Sequence, residues 1–181
     1  VTTIAANRKV MAADSRITGG IPICYCDKIF RIRDSLVGVC GDNAFTTKWL
    51  EWFRREMPPV ESLMDIEEEK EFLALELNAN GLWLYTNTCE PDGLHDKFYS
   101  IGSGAMSAMA AMHLGKSPAD AVRVAALYDE GTGGRVKELT VLPPRKEKPK
   151  REKKLKAAPP PAAAPAVAPD KPEVANVQPD K

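Results

Sequence analysis

No apolar run in this 181-residue chain approaches the length of a membrane-spanning helix, and no basic segment followed by an apolar stretch marks a secretory leader. A cytoplasmic protein that does not contact membranes is therefore the expectation. Net charge is missing as well, since 25 Lys+Arg balance 25 Asp+Glu. A nucleic-acid footprint needs Lys/Arg clustered on the folded core, whereas residues 1–142 carry 15 Lys+Arg against 20 Asp+Glu. Nucleic acid is thus an unexpected partner. Only two histidines occur, His95 and His113, and neither has a second ligand at metal spacing. The four cysteines, Cys24, Cys26, Cys40 and Cys89, lack paired CxxC spacing and read as reduced thiols. No metal and no cofactor is expected.

What the first 142 residues lack in proline, the remainder has in excess. Residues 143–181 hold ten of the 15 prolines, begin with a charged run from Arg145 to Lys156, and carry ten Lys+Arg against five Asp+Glu. Such a segment buries too little apolar surface to offset its ordering entropy. The expected organisation is a folded domain at 1–142 and a Lys/Pro/Ala-rich disordered tail at 143–181, serving to solubilise, tether or dock.

The domain reads as strands, then helices, then a strand. Segments 3–6 and 10–13 flank a turn at Asn7-Arg8-Lys9. A three-residue loop pairs Ala6 with Val10 and sets Thr2 opposite Asp14, whereas a two-residue turn shifts that register by one. Strands are expected at 28–32 and 36–40. Asp42 or Asn43 can cap a helix whose apolar positions Phe45, Trp49, Trp52 and Phe53 share a face, with Pro58-Pro59 ending it. The acidic run 67–71 leads into a strand at 72–77, and Asn80-Gly81 is the turn signal before a return at 82–86. A short strand at 98–101 precedes Gly102-Ser103-Gly104, which opens a helix with Met106, Met109 and Met112 as a packing stripe. Gly115 closes that helix. Ser117 caps the next, with Pro118 at its first position, running to about Glu130. Segment 136–142 is the last strand. Two helices covering one sheet give a layered α+β domain, and a second sheet requires helices of its own.

Thr2-Thr3 stand at the start. A terminal threonine carries a hydroxyl nucleophile and an amine base on one residue, the amine having an ordinary pKa of roughly 7.7–8.0. Five further places could serve chemistry there: Asp14 in Ala12-Ala13-Asp14-Ser15-Arg16, Lys28 in Asp27-Lys28-Ile29, Gly41 after Val37-Gly38-Val39-Cys40, Ser103 between two glycines, and Asp129 with Thr132 before Gly133-Gly134. Singly, each has a plain structural explanation: a salt-bridge acid, a surface lysine, a helix cap, a helix-end acid.

In this order and spacing, they resemble the proteasome β-subunit and HslV family of N-terminal-nucleophile (Ntn) hydrolases, above all its short bacterial members, over about residues 2–142. The resemblance implies a four-layer αββα sandwich and a threonine peptidase that cuts unfolded polypeptide inside a ring. Thr2 would be the nucleophile, its own amine the base, and Lys28 the charge that tunes that amine. Asp14 would orient Lys28, and the Gly41 N–H would hold the oxyanion. Ser103, Asp129 and Thr132 would position amine and water. By the same analogy Ile17, Val39 and Asn43 line the first specificity pocket. The implied partners are identical subunits in a double ring of 12 or 14, and an ATP-dependent unfoldase. Three departures stand out: Thr132 replaces the usual serine, the first hairpin is short, and the segment before Phe72 is too short for the family's full second helix. Val1 must also be removed, because an acylated Thr2 nitrogen is not a base. Two alternatives share these residues: an Ntn amidase acting on a small amide, and a catalytically silent ring subunit.

Overall fold

The computed structural model describes residues 2–18, 23–58, 71–87 and 89–142. Val1, the acidic stretch 67–70, Pro59 and the segment 143–181 lie outside the described residues, and so do the expectations placed on them. Strands and helices follow in the order β1 Thr3–Asn7, β2 Val10–Ala13, β3 Arg16–Ile17, β4 Cys24–Tyr25, β5 Ile29–Ile32, β6 Ser35–Gly41, α1 Asn43–Arg54, β7 Phe72–Asn78, β8 Gly81–Tyr85, β9 Pro91–Leu94, β10 Phe98–Gly102, α2 Ala105–His113, α3 Pro118–Ala125 and β11 Lys137–Thr140. They form a four-stranded sheet ordered β10-β1-β2-β11, a five-stranded sheet ordered β5-β6-β7-β8-β9, and the small hairpin β3-β4.

Period-two alternation decides which face each strand gives to which neighbour. On β6, Val37 and Val39 point toward α1, where Phe45, Trp49, Trp52 and Phe53 meet Phe72 and Tyr85. Leu36 and Cys40, one residue out of phase, join Ile4, Ala6, Met11 and Ala13 of the other sheet. On β1 and β2 the opposite phase, Ala5 and Ala12, faces α2 and α3 through Ala108, Ala111, Ala121 and Val122. Alanine on both sides lets these two helices lie close to the sheet. Among the described residues no helix is long and apolar enough to cross a membrane.

The first hairpin takes the two-residue alternative. Ile4 pairs with Ala13 and Ala6 with Met11, so the residue facing Asp14 is Thr3 and not Thr2. Asn7 is the cause: its Oδ1 accepts from the N–H of Lys9 at 2.9 Å and of Val10 at 2.8 Å, closing the turn over Arg8-Lys9. The β7–β8 turn is likewise one residue earlier than Asn80-Gly81, with Asn78 Oδ1 capping it. The methionine stripe splits: Met112 is buried, Met109 is half-buried, and Met106 is 83% exposed. Threefold spacing drifts around a 3.6-residue helix, so the stripe cannot stay on one face. The helix from Pro118 ends at Ala125, short of Glu130.

Candidate active site

Asp14 follows β2 and is almost wholly buried, and four donors surround its carboxylate. Oδ1 accepts from the Thr3 N–H at 2.9 Å and from Lys28 Nζ at 2.8 Å. Oδ2 accepts from the N–H of Arg16 at 3.1 Å and of Gly133 at 3.0 Å. A buried ion pair offsets its desolvation only when the remaining polar atoms are also bonded, and here they are. Lys28 precedes β5, is 5% exposed, and gives a second hydrogen bond to the Arg16 carbonyl at 2.5 Å. The Val39 N–H binds the Lys28 carbonyl at 3.1 Å, fixing the lysine two residues short of Gly41 along β6.

A second group gathers on the other side of the N-terminal strand. Ser103 donates to Asp129 Oδ2 at 2.6 Å, and the Thr132 hydroxyl donates to the same oxygen. Ser103 Oγ also lies 3.5 Å from the Thr2 carbonyl oxygen. Burial pushes the Asp129 carboxyl up, but the hydroxyls of Ser103 and Thr132 and the Gly131 N–H outweigh it and hold the group below the usual carboxylate range. Asp129 is therefore ionised near neutrality. Two glycines make the approach possible. A Cβ on Gly102 would sit 1.9 Å from the Thr2 carbonyl oxygen, and one on Gly104 would sit 2.2 Å from Thr3 Oγ1.

The two groups meet at one peptide unit, Thr2–Thr3, whose N–H is held by Asp14 and whose carbonyl faces Ser103. Thr3 has no catalytic part in the sequence reading. It is fully buried, and its hydroxyl bonds Thr132 Oγ1 and the Gly104 N–H, the latter at 3.1 Å. Arg16 is a second residue the motifs do not single out. Its guanidinium donates to the Glu130 carbonyl at 3.0 Å and covers Gly133, bracing the loop that carries Asp129 and Thr132. The sequence hint for both is that they stand inside quoted motifs, Thr3 in Thr2-Thr3 and Arg16 in Asp14-Ser15-Arg16, with no role of their own assigned there.

Gly41 ends β6 with φ +117°, and a Cβ there would lie 2.0 Å from the Glu71 carbonyl oxygen, so glycine is required by conformation and by space. The three pocket candidates lie on separate elements. Ile17 is half-buried on β3, Val39 packs beneath α1, and Asn43 is exposed at the first position of α1. Burial pushes the Cys40 thiol up to about 11 and raises that of Cys26, so neither offers a thiolate to compete as nucleophile near neutrality.

No protein-family model matches the chain, and no curated protein matches it. Solved structures do. The Thiobacillus denitrificans protein BPH is 20% identical, with a TM-score of 0.62 over 78% of this chain and 98% of its own. HslV from Trypanosoma brucei is 19% identical, with a TM-score of 0.62 over 76% of this chain and 98% of its own. BPH in complex with epoxomicin is 17% identical, with a TM-score of 0.60 over 78% of this chain and 99% of its own. At such identities the likeness is one of fold, spanning nearly the whole of each solved chain. The chain shares the fold of BPH and of HslV.

Proposed function

We propose that this protein is an N-terminal threonine peptidase, with Thr2 as nucleophile once processing has freed its amine. The observation that carries the reading is the convergence on Thr2–Thr3, where a buried Lys28–Asp14 pair lies to one side and the Ser103–Asp129–Thr132 group to the other. Thr3 is ruled out as nucleophile by its position. Its nitrogen is a peptide N–H bound to Asp14, and its hydroxyl is buried.

In this reading the Thr2 hydroxyl attacks a peptide carbonyl while the Thr2 amine takes its proton, through a water. The positive charge of Lys28 disfavours protonation of that amine and lowers its pKa toward the working pH, where a general base is most effective. Asp14 holds the Lys28 side chain in place. The developing oxyanion is held by the Gly41 N–H, a contribution of roughly 3–4 kcal/mol in comparable sites. Collapse of the tetrahedral adduct breaks the C–N bond, with the proton passing from the Thr2 ammonium to the leaving amine. Water then hydrolyses the ester on Thr2 Oγ. Asp129, with Ser103 and Thr132, orients the amine and that water.

The three clusters of buried side chains support an αββα arrangement of α1, the five-stranded sheet, the four-stranded sheet, and α2 with α3. By analogy with HslV, the same chain would assemble into a double ring of 12 or 14 copies that degrades unfolded polypeptide in the cytoplasm, fed by an ATP-dependent unfoldase. Ile17, Val39 and Asn43 would meet the substrate side chain beside Thr2 and favour apolar or small groups. Thr2→Ala tests the reading. The variant should keep its fold and assembly yet lose peptide hydrolysis; undiminished turnover would refute it.

A further inference from the structure

Thr3 occupies a buried row of hydrogen bonds whose proton order can be assigned atom by atom. An ionised Asp129 only accepts, so Ser103 and Thr132 both give it their hydroxyl protons. The Gly104 N–H gives its proton to Thr3 Oγ1 at 3.1 Å. With its own proton committed to Asp129, Thr132 Oγ1 can only accept from Thr3, at 2.5 Å. The order is Gly104 N–H to Thr3, Thr3 to Thr132, Thr132 to Asp129. The main chain of Thr3 works on the other side. Its N–H reaches the same Asp14 oxygen that receives Lys28 Nζ, and its carbonyl accepts the Asp14 N–H at 3.2 Å.

We infer that Thr3 is a positioning residue, locking the Asp14–Lys28 pair and the Ser103–Asp129–Thr132 group into one frame around Thr2. A hydroxyl that accepts and donates in series polarises its neighbours, so Thr3 strengthens the bond Thr132 makes to Asp129. Removing it leaves the buried Gly104 N–H without its acceptor and frees the Thr132 hydroxyl to turn. The geometric claim stands on these contacts; its kinetic consequence rests on the threonine-peptidase reading.

The test compares Thr3→Val, which keeps the shape and loses the hydroxyl, with Thr3→Ser, which keeps the hydroxyl. Both are read in the full chain by peptide-level hydrogen exchange, by turnover and by pH profile. Thr3→Val should lose exchange protection around residues 103–105 and 129–134, and kcat should fall about tenfold or more with KM within about twofold. The acid limb of its stability, followed by unfolding against pH, should move to higher pH as Asp129 loses support, and Thr3→Ser should restore all three. Thr132→Val, cutting the same row from the far end, should reproduce the Thr3→Val pattern if the latter folds poorly. Wild-type protection in Thr3→Val, or in Thr132→Val, would overturn the positioning role. So would a fall in turnover with an unmoved acid limb of stability, or a Thr3→Ser that fails as badly as the valine. A wild-type protein that shows the exchange pattern but hydrolyses no peptide would instead overturn the peptidase reading and, with it, the kinetic part of this inference.

Discussion

Lys28 concentrates the electrostatics of the site in one side chain. Its ammonium is buried against Asp14, whose carboxylate keeps three backbone N–H donors besides. If Thr2 is the nucleophile, Lys28→Ala should reduce turnover by roughly 10³-fold, because the amine loses the positive charge proposed to lower its pKa. The same change should destabilise the fold by about 3 kcal/mol, near the lower end for a broken buried pair, since those N–H groups still compensate the carboxylate. Kinetics and denaturant unfolding on one sample check both. Normal turnover in that variant would mean that some other group tunes the amine. Residue identities around Thr2 are legible from sequence because each sits in a short motif at a characteristic place. Thr3 and Arg16 are not, because their roles arise from main-chain bonds and from packing over Gly104 and Gly133.

Elements with strong patterns are legible and short ones are not. The helix α1 follows its apolar face and its cap, with Asp42 accepting from the Phe45 N–H at 2.9 Å. Asp42→Ala should cost about 1 kcal/mol in denaturant unfolding, the usual worth of such a cap. Trp49 is fully buried among Trp52, Phe53, Phe72 and Tyr85, so Trp49→Ala should cost about 3–5 kcal/mol by the same measurement. By contrast β3 and β4 span two residues each and β9 contains Pro91 and Gly93, too little for alternation to register. The register of the first hairpin turns on one side chain. Asn7 folds its amide oxygen onto two N–H groups, and that Asx turn shortens the loop by a residue. The shift moves Asp14 from Thr2 to Thr3 without removing it from the site, because its carboxylate reaches the peptide that joins them.

At the scale of the whole molecule, the two sheets place β6 beneath β1, with Ile4 seated on Gly38. That contact is what brings the Lys28 and Gly41 region of one sheet to the N-terminal residues of the other, and it has no signature in local sequence. A pH dependence follows from Asp129. Its folded carboxyl lies below its unfolded one, so the stabilisation it gives is complete above the unfolded value of roughly 3.9 and is lost as pH falls through the folded value. Unfolding followed against pH should accordingly show the Asp129 contribution lost only at pH below its unfolded value, and Asp129→Asn should remove that contribution, whereas the acid limb of turnover belongs to the Thr2 amine. The most direct measurement is the intact mass of the purified protein after treatment with a covalent threonine-reactive probe. The expected result is a mature chain beginning at Thr2 and carrying one adduct on that residue, with no adduct in Thr2→Ala. A chain that retains the residue before Thr2 and still hydrolyses peptides at full rate would contradict the account.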